Sequence, residues 1–521
     1  MILTMEQFEQ LAAQTTEQVL LSGGDTRLVI DPKTGVNKYG CGSHPDAGMV
    51  AFGSSTGSTI SARGYAAASA LHQKLLNAAN TLAEPVLYRQ ELDRIRREMF
   101  DLCEFSDLAD VATIFAASGT DLHLICAQLM AAGHASGTLL APPLHVIMMD
   151  GAETGSGVSP ALRGQHFSDN AALGGKVTAY TAMSGVHPIT VSSVGLRNSH
   201  GQKRSSGDID REVDQLISDS MAIGQRVLLI MIDVSKTGLI APSPGYIAAL
   251  RQRVPDQVDV LVDACQFRIS NTTLNAYLKS GCMVALTGSK FLTGPVFSGI
   301  LHVPSNLIPR LSRQKLPGSL ADYSARAEWP AHWQATRQLS DSVNWGLLLR
   351  LEAAVAELKA FHALPPNQIA DFLADFAGAI QQAISQSPHF ELMAERHLDR
   401  TPFCSETSWD QIPTIFPFLL LHQPGKPLSR EQTLQVYRQL QFPVAASPSA
   451  RVVPALAATR CQLGQPVLCG QQYGMDVSAL RMCASSRVII EACQQGADSS
   501  DLVIHRALNV LKKAEYLIQQ L

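Results

Sequence analysis

Alternating runs of apolar and polar residues predict an α/β fold. Short apolar runs such as Val111 to Ala116, His145 to Met149 and Val227 to Ile232 have the length and composition of buried strands. Longer segments with regularly spaced apolar residues, notably 66–104 and Leu122 to Ala132, predict amphipathic helices between them. Strands that alternate with helices along a chain usually form a mostly parallel sheet covered by helices.

Two further apolar runs are followed by residues that are candidates for a catalytic or ligand-binding site. Val258 to Val262 is followed by Asp263, and a later run ends in Thr287-Gly288-Ser289-Lys290, with room between them for one crossover helix. Parallel strands joined in this way end at the same edge of a sheet, where open α/β sheets bind ligands. We therefore expect Asp263 and Lys290 to lie in one pocket.

A carboxylate and an amine in one pocket have two interpretations. Asp263 and Lys290 could form an ordinary buried ion pair. They could also serve pyridoxal phosphate, whose aldehyde forms a Schiff base with a lysine and whose ring nitrogen is kept protonated by an acid. The two residues alone do not separate these interpretations.

A polar turn upstream predicts an anion site. The strand that ends at Ala116 is followed by Ala117-Ser118-Gly119-Thr120 and then by the predicted helix Leu122 to Ala132. The start of a helix presents free backbone N–H groups and a positive dipole end to an anion. The same residues could also be a simple cap of a crossover helix.

In this order, the turn and the two strand ends resemble the cofactor segment of fold type I pyridoxal-phosphate enzymes, in particular the class V aminotransferase and cysteine desulfurase superfamily. The resemblance implies an α/β fold, in which a large domain with a mostly parallel, seven-stranded type of sheet is joined to a smaller α+β C-terminal domain. It implies pyridoxal 5'-phosphate as the cofactor, with Lys290 as the Schiff-base lysine and Asp263 at the pyridine nitrogen. The other implied cofactor contacts are Ser118, Gly119, Thr120, Thr287 and Ser289 at the phosphate, and Ser235 and Gln266 near the phenolic oxygen.

The chain departs from the desulfurase pattern in two respects. Where the resemblance implies a histidine that stacks on the cofactor ring, the nearest positions are Glu153 and Thr154. A desulfurase also needs a mobile nucleophilic cysteine, for which Cys404 and Cys461 are the only plausible positions. We therefore rank desulfurase below aminotransferase.

Three functions stay open at this point. The first is an aminotransferase, in which Lys290 moves a proton between the substrate α-carbon and the cofactor. The second is a lyase of the decarboxylase, aldolase or desulfurase type. A catalytically silent relative is the least favoured, because the lysine, its acid and the phosphate turn are all present.

Arg481 is the candidate for substrate binding. It interrupts the apolar strand Ala479 to Cys483, where a buried guanidinium needs an anionic partner. The resemblance implies a carboxylate-binding arginine in a similar strand of the small domain. An internal salt bridge, or an edge strand with the head group in water, would also explain the arginine.

The domain organisation is expected to have three parts. Residues 1–70 would be an N-terminal arm over the active site, 71–345 the large cofactor-binding domain, and 346–521 the small C-terminal domain. Within the arm, the candidate substrate contacts are Tyr39, Arg63 and Tyr65. A plain surface arm is the alternative.

Composition and charge exclude several classes of partner and location. The chain has 521 residues with a net charge of −4 and no basic stripe, so nucleic acid is not an expected partner. No apolar run approaches the length of a membrane span, and the N-terminus lacks the pattern of a signal peptide. Ten scattered cysteines without a CxxC pair predict reduced thiols in a cytoplasmic protein and no metal site.

The expected partners are a small amino-acid substrate, with a keto acid also possible, and a second copy of the chain. The resemblance implies a homodimer, because the family builds each active site from two chains. The segment 305–340 contains Trp329 and Trp333, and such aromatic content is favoured at interfaces.

Overall fold

The computed structural model describes residues 9, 11–78, 81–132, 142–393, 395–444, 454–472, 474–494 and 497–521. The strands are β1 (Met49–Phe52), β2 (Val111–Ala116), β3 (Leu144–Met149), β4 (Ile189–Val194), β5 (Arg226–Asp233), β6 (Ile240–Ala241), β7 (Val258–Ala264), β8 (Met283–Thr287), β9 (Gly299–Pro304), β10 (Phe390–Leu392), β11 (Ile415–Gln423), β12 (Lys426–Pro427), β13 (Arg460–Gln472) and β14 (Met475–Cys483).

The helices are α1 (Thr16–Leu20), α2 (Ala62–Ala78), α3 (Glu84–Leu102), α4 (Gly119–Ala131), α5 (Val158–Leu162), α6 (Ser206–Ala222), α7 (Pro244–Arg253), α8 (Asn271–Lys279), α9 (Ile308–Leu311), α10 (Trp345–His362), α11 (Pro366–Gln386), α12 (Arg430–Leu440), α13 (Pro454–Ala458), α14 (Ser486–Gln494) and α15 (Ala497–Ile518). Short 3-10 helices lie at Thr26–Leu28, Phe105–Asp107, Gly318–Asp322, Arg326–Glu328, Gln334–Gln338 and Trp409–Gln411.

The larger sheet has the predicted, mostly parallel architecture. Its strand order is β2-β9-β8-β7-β5-β3-β4, and β6 pairs with β5. The neighbours from β8 to β4 are all parallel, whereas β9 is antiparallel to both β2 and β8. Every residue of β7 is buried, as expected for a central strand with helices on both faces.

A second sheet joins the two ends of the chain. Its strand order is β1-β13-β14-β11-β10, and β12 pairs with β11. Strand β1 comes from the segment predicted to be an arm, and it pairs in parallel with β13, Met49 lying opposite Arg460. The segment 1–70 therefore also contributes a strand to the C-terminal sheet.

Buried arginines connect the two sheets. Arg268, just beyond β7, donates to the Ala484 carbonyl at 2.7 Å and to Ser54 Oγ at 2.9 Å. Arg400 forms a fully buried ion pair with Asp233 at the end of β5, with Nη2 and Oδ1 2.6 Å apart. Because an unpaired charge would be costly at these positions, the two contacts fix the smaller sheet against the strand ends of the larger one.

The expected interface role of Trp329 and Trp333 is wrong. Both side chains are buried within the chain, at 0% and 2% exposure. Trp329 Nε1 donates to Ser324 Oγ at 2.8 Å, and the two indoles pack with ring centroids 6.0 Å apart. The aromatic signal in this segment therefore reflects the core of the larger lobe, and the homodimer stays a prediction.

Within the described residues, none of the helices combines the length and the apolar character that crossing a membrane requires.

Candidate active site

A cavity of about 410 Å³ lies at the strand ends of β7 and β8. Most of the predicted site residues line it, namely Ser118, Gly119, Thr120, Asp263, Thr287, Ser289, Lys290 and Arg481. Two predicted cofactor contacts, Ser235 and Gln266, do not line it. A larger cavity of about 850 Å³ lies against α15 and shares none of these residues.

Asp263 is held in its ionised form by a buried histidine. His123, in the second turn of α4, places Nε2 3.3 Å from Asp263 Oδ2, and its Nδ1 lies 2.7 Å from the Gly119 carbonyl oxygen. Burial alone would raise the pKa of Asp263, but the charge of His123, hydrogen bonds from His123 and the Cys265 side chain, and the charge of Lys290 outweigh it, so this pKa is lowered. Burial likewise opposes charge on His123, yet the Asp263 carboxylate raises the pKa of His123. Each residue of the pair therefore favours the charged form of the other.

Three lysines line the cavity: Lys38 is exposed, whereas Lys236 and Lys290 follow strand ends. Lys290 follows β8, and Lys236 follows β5; the parallel pairing of β5 with β7 brings Ile232 opposite Asp263. Lys236 Nζ donates to the Ala152 carbonyl at 3.0 Å. Burial, together with the positive charges of Arg481 and Lys290, lowers the pKa of Lys236 to about 8. Neither Lys236 nor Lys290 forms an ion pair within the part of the chain that the structure describes.

The Ser118-Gly119-Thr120 turn opens helix α4 toward the cavity. Ser118 is the helix cap, accepting from the Asp121 N–H at 3.3 Å. An arginine from the N-terminal segment also contacts this turn: Arg27 donates from Nη1 to Thr120 Oγ1 at 3.1 Å and from Nη2 to Ser118 Oγ at 3.2 Å. A helix start and a guanidinium thus converge at one end of the cavity.

The hydroxyl groups at this end of the cavity differ in whether they have a proton left to donate to an anion. Ser289 Oγ accepts from the Phe297 N–H at 2.9 Å, and Thr120 Oγ1 accepts from Arg27, so both hydroxyls retain their own proton to donate. Thr287 instead donates its proton to the Cys265 carbonyl at 2.6 Å. Thr287 therefore lines the cavity as an acceptor.

Two glycines allow the close packing of these segments. A Cβ on Gly119 would lie 3.0 Å from Cys265 Sγ, and a Cβ on Gly288 would lie 2.3 Å from the Ala354 Cβ. The turn after β8 could not approach α10 this closely with a side chain at Gly288, and a side chain at Gly119 would require Cys265 to shift.

Ser235, Gln266 and Glu153 do not line the cavity. Ser235 Oγ donates to Glu153 Oε2 at 2.8 Å, and Glu153 also pairs with Arg197 at 2.8 Å. The Gln266 amide donates to the Ser55 carbonyl at 3.0 Å. Thr154, the other position compared with the ring-stacking histidine, does line the cavity.

Arg481 is buried and faces the cavity without an acidic partner. Its Nη2 donates to Thr56 Oγ1 at 2.8 Å and to the Gln465 carbonyl, while Nη1 donates to the Lys236 carbonyl at 3.3 Å. Its Nε is buried and has no hydrogen-bond partner. The internal salt bridge considered from the sequence is absent among the described residues, which leaves this guanidinium available to an anion in the cavity.

Of the three N-terminal candidates, only Tyr39 lines the cavity. Arg63 instead pairs with Glu357 at 3.3 Å, and the Tyr65 hydroxyl donates to Glu17. The two side chains contribute to packing around α2 and α1 rather than to the cavity.

All ten cysteines are free thiols. Cys404 does not line the cavity, and its Sγ lies 3.2 Å from Asp410 Oδ1. Burial, followed by the Asp410 charge, raises the pKa of Cys404 to about 11, and burial raises that of Cys461 to about 11 as well. Neither predicted position offers a thiolate at neutral pH.

His123, Lys236 and Arg27 are among the cavity residues that sequence reasoning missed. His123 lies four residues after Gly119, and this helical spacing places both on one face of α4, a signal that could have revealed it. Lys236 lies in the turn after β5, three residues beyond the end of the strand, as Lys290 lies three residues beyond the end of β8. Arg27 carries no local signal, because only the fold brings it to the Ser118 turn.

Comparisons with known proteins find similarity at the level of structure. No protein-family model and no curated protein matches the chain. The cysteine desulfurase CsdA from Escherichia coli superposes with a TM-score of 0.52 at 15% sequence identity, over 90% of this chain and 95% of that chain. The cystine C-S lyase C-DES gives a TM-score of 0.52 at 14% identity, over 89% and 98%. A NifS-like protein gives 0.50 at 11% identity, over 89% and 99%.

The chain has the fold of these enzymes. The comparison thereby confirms the fold type I architecture predicted from the order of the motifs. At such low sequence identity the similarity concerns the fold alone, and the activity has to be argued from the cavity.

Proposed function

We propose that the chain is a pyridoxal-phosphate-dependent enzyme that acts on an amino acid through Lys290. The observation that supports this most is the convergence of an amine, an ionised buried acid and an anion-binding turn on one cavity. Lys290 and Asp263 come from neighbouring strands, and the Ser118 turn lies at the start of α4.

The residues present fit this cofactor. The start of α4, the free protons of Thr120 and Ser289, and Arg27 suit a phosphate. Asp263 is ionised and faces the cavity, as an acid that holds a proton on a pyridine nitrogen must be. Lys290 lies on the same side with no competing carboxylate partner among the described residues.

Bound pyridoxal phosphate would supply an electron sink for the substrate α-carbon. Asp263 would hold the proton at the ring nitrogen, and His123 would keep Asp263 ionised and correctly turned. The Lys290 amine would move a proton at the substrate α-carbon as general base and general acid. Arg481 would orient the substrate through its carboxylate, since its planar group can bind both carboxylate oxygens.

Within this class we propose an aminotransferase, with a lyase of the decarboxylase or aldolase type as the alternative. A desulfurase is disfavoured by the cysteines. Cys265 is the one cysteine that lines the cavity; it is buried, and both burial and Asp263 raise its pKa. A persulfide-forming thiol would need the opposite environment.

A test is to incubate the protein, loaded with pyridoxal phosphate, with single amino acids, release the cofactor by denaturation and identify it by chromatography. Transamination predicts stoichiometric conversion to pyridoxamine phosphate and a keto acid. Amine or aldehyde products with unchanged cofactor would support the lyase instead. Absence of cofactor binding would refute the whole proposal.

Two further parts of the proposal concern assembly and location. A homodimer is supported by the family resemblance, and it predicts that sedimentation finds a dimer at working concentrations; an active monomer would contradict it. A cytoplasmic location is supported by the ten free thiols, which suit a reducing compartment. Fractionation of cells producing the protein would test it.

A further inference from the structure

Cationic side chains outnumber acidic ones in the lining of the cavity. Its cationic residues are Arg27, Lys38, Lys236, Lys290, Arg430 and Arg481, and Asp263 is the carboxylate among its lining residues. Arg27 is neutralised by Asp25, with Nη2 and Oδ2 2.5 Å apart, and Asp263 by His123. The remaining five cations have no ionic partner among the described residues.

The proposed function accounts for part of this charge. Lys290 would bind the cofactor aldehyde, the start of α4 would receive the phosphate, and Arg481 would receive the substrate α-carboxylate. Lys38 and Arg430 are exposed at the rim, where water satisfies a charge at little cost. Lys236 is the half-buried cation that is left over.

Lys236 forms no ion pair among the described residues, although the charges of the nearby Glu153 and Asp150 act on its amine. Glu153 places Oε1 on Arg197 at 2.8 Å and accepts from Ser235 and Thr237 through Oε2 at 2.8 and 2.6 Å. Asp150 accepts from the Ala152 N–H at 2.8 Å. The single hydrogen bond of the Lys236 amine, to the Ala152 carbonyl, leaves two of its three protons for another acceptor.

Lys236 is also a direct neighbour of the proposed carboxylate site. Arg481 donates from Nη1 to the Lys236 carbonyl at 3.3 Å, and the charge of Arg481 lowers the pKa of the Lys236 amine. Two adjacent cations that form no ion pair repel each other and are stabilised together when two linked anions bind.

We infer that the substrate is a dicarboxylic amino acid whose α-carboxylate binds Arg481 and whose side-chain carboxylate binds Lys236. The inference rests on the proposed function and adds the substrate class to it. An amino acid with a neutral side chain would bring no anion to Lys236. This difference would let the enzyme select dicarboxylic amino acids over neutral ones.

The test compares acids with their near-isosteric amides. Aspartate and glutamate should react with kcat/KM roughly ten- to hundred-fold higher than asparagine and glutamine, the usual effect of one charged hydrogen bond. In Lys236→Met this ratio should fall to about one, through loss of activity on the acids alone. The control Lys33→Met, an exposed lysine outside the cavity, should retain the wild-type ratio.

A binding measurement separates specificity from chemistry. Calorimetry on the cofactor-loaded protein should show succinate binding more tightly than succinamate, and Lys236→Met should remove the difference. Equal use of acid and amide by the wild-type enzyme would overturn the inference. The inference would also be overturned if Lys236→Met lost activity equally on acid and amide and changed the cofactor spectrum. Lys236 would then contact the cofactor. Failure of the proposed function would appear separately, as wild-type protein that binds no pyridoxal phosphate.

Discussion

Replacing Arg481 with lysine should weaken recognition of the substrate carboxylate without removing the cofactor. The guanidinium is 1% exposed, and its Nε has no partner in the described protein, so a carboxylate can bind without displacing an existing ion pair. Lysine keeps the charge but loses the two parallel donors that match both carboxylate oxygens. The bonds to Thr56 and to the Gln465 carbonyl would also be lost in part.

The magnitude follows from the loss of one charge-assisted hydrogen bond. Such bonds contribute about 1.5–3 kcal/mol, which corresponds to a fall of roughly ten- to hundred-fold in kcat/KM. The fall should appear mainly as an increased KM, because the carboxylate contact exists both before and during the reaction. Cofactor affinity should change little, since the phosphate turn and Asp263 lie on the larger sheet.

Steady-state kinetics and thermal unfolding of the same variant decide between recognition and stability. Arg268→Lys is the matched control, because Arg268 is equally buried but bonds to Thr414, Ala484 and Ser54 outside the cavity. The control should lower Tm and leave KM near the wild-type value. An Arg481→Lys variant with lowered Tm and unchanged KM would refute the assignment.

Three other substitutions test the cofactor contacts. Asp263→Asn should retain bound cofactor but lose most activity, because an amide cannot hold the ring nitrogen protonated; near-native turnover would return Asp263 to a structural role. His123→Gln removes the group that lowers the pKa of Asp263, so the pKa of Asp263 should rise. On acidification, the variant should therefore lose activity at a higher pH than the wild-type enzyme. An unchanged pH profile of kcat/KM would argue against the coupling between His123 and Asp263. Arg27→Met should weaken pyridoxal phosphate binding about ten-fold in a fluorescence titration, whereas an unchanged Kd would show that Arg27 only caps the Ser118 turn.

Elements with a regular apolar pattern could be predicted from the sequence. The strand expected from Val111 to Ala116 is observed with those bounds, and the helix expected from Leu122 to Ala132 corresponds to α4, Gly119–Ala131. Strand β13 was missed because RCQLGQPVLCGQQ mixes glycine, proline and glutamine with apolar residues, and only its pairing with β14 makes it a strand. Tertiary pairing overrides local propensity in such a segment.

The site could be predicted where its residues follow strands. Asp263 and Lys290 end neighbouring strands of a parallel sheet, so topology alone brings them to one edge. Ser235 follows β5 by the same rule, yet the turn after that strand directs its hydroxyl to Glu153 and leaves Lys236 facing the cavity. Spacing along the chain does not determine which of two adjacent turn residues faces a ligand. Arg27 could not be predicted at all, since its contacts join residues 91 and 93 positions apart.

The most direct test of the account is to identify the lysine that binds the cofactor. The protein is loaded with pyridoxal phosphate, reduced with borohydride, digested and analysed by peptide mass spectrometry, with Lys290→Ala treated in parallel. The account predicts a phosphopyridoxyl group on the peptide that contains Lys290 and none on that peptide in the variant. Modification of Lys236 or Lys38, the other lysines of the cavity, in place of Lys290 would contradict it, and so would modification of none of the three.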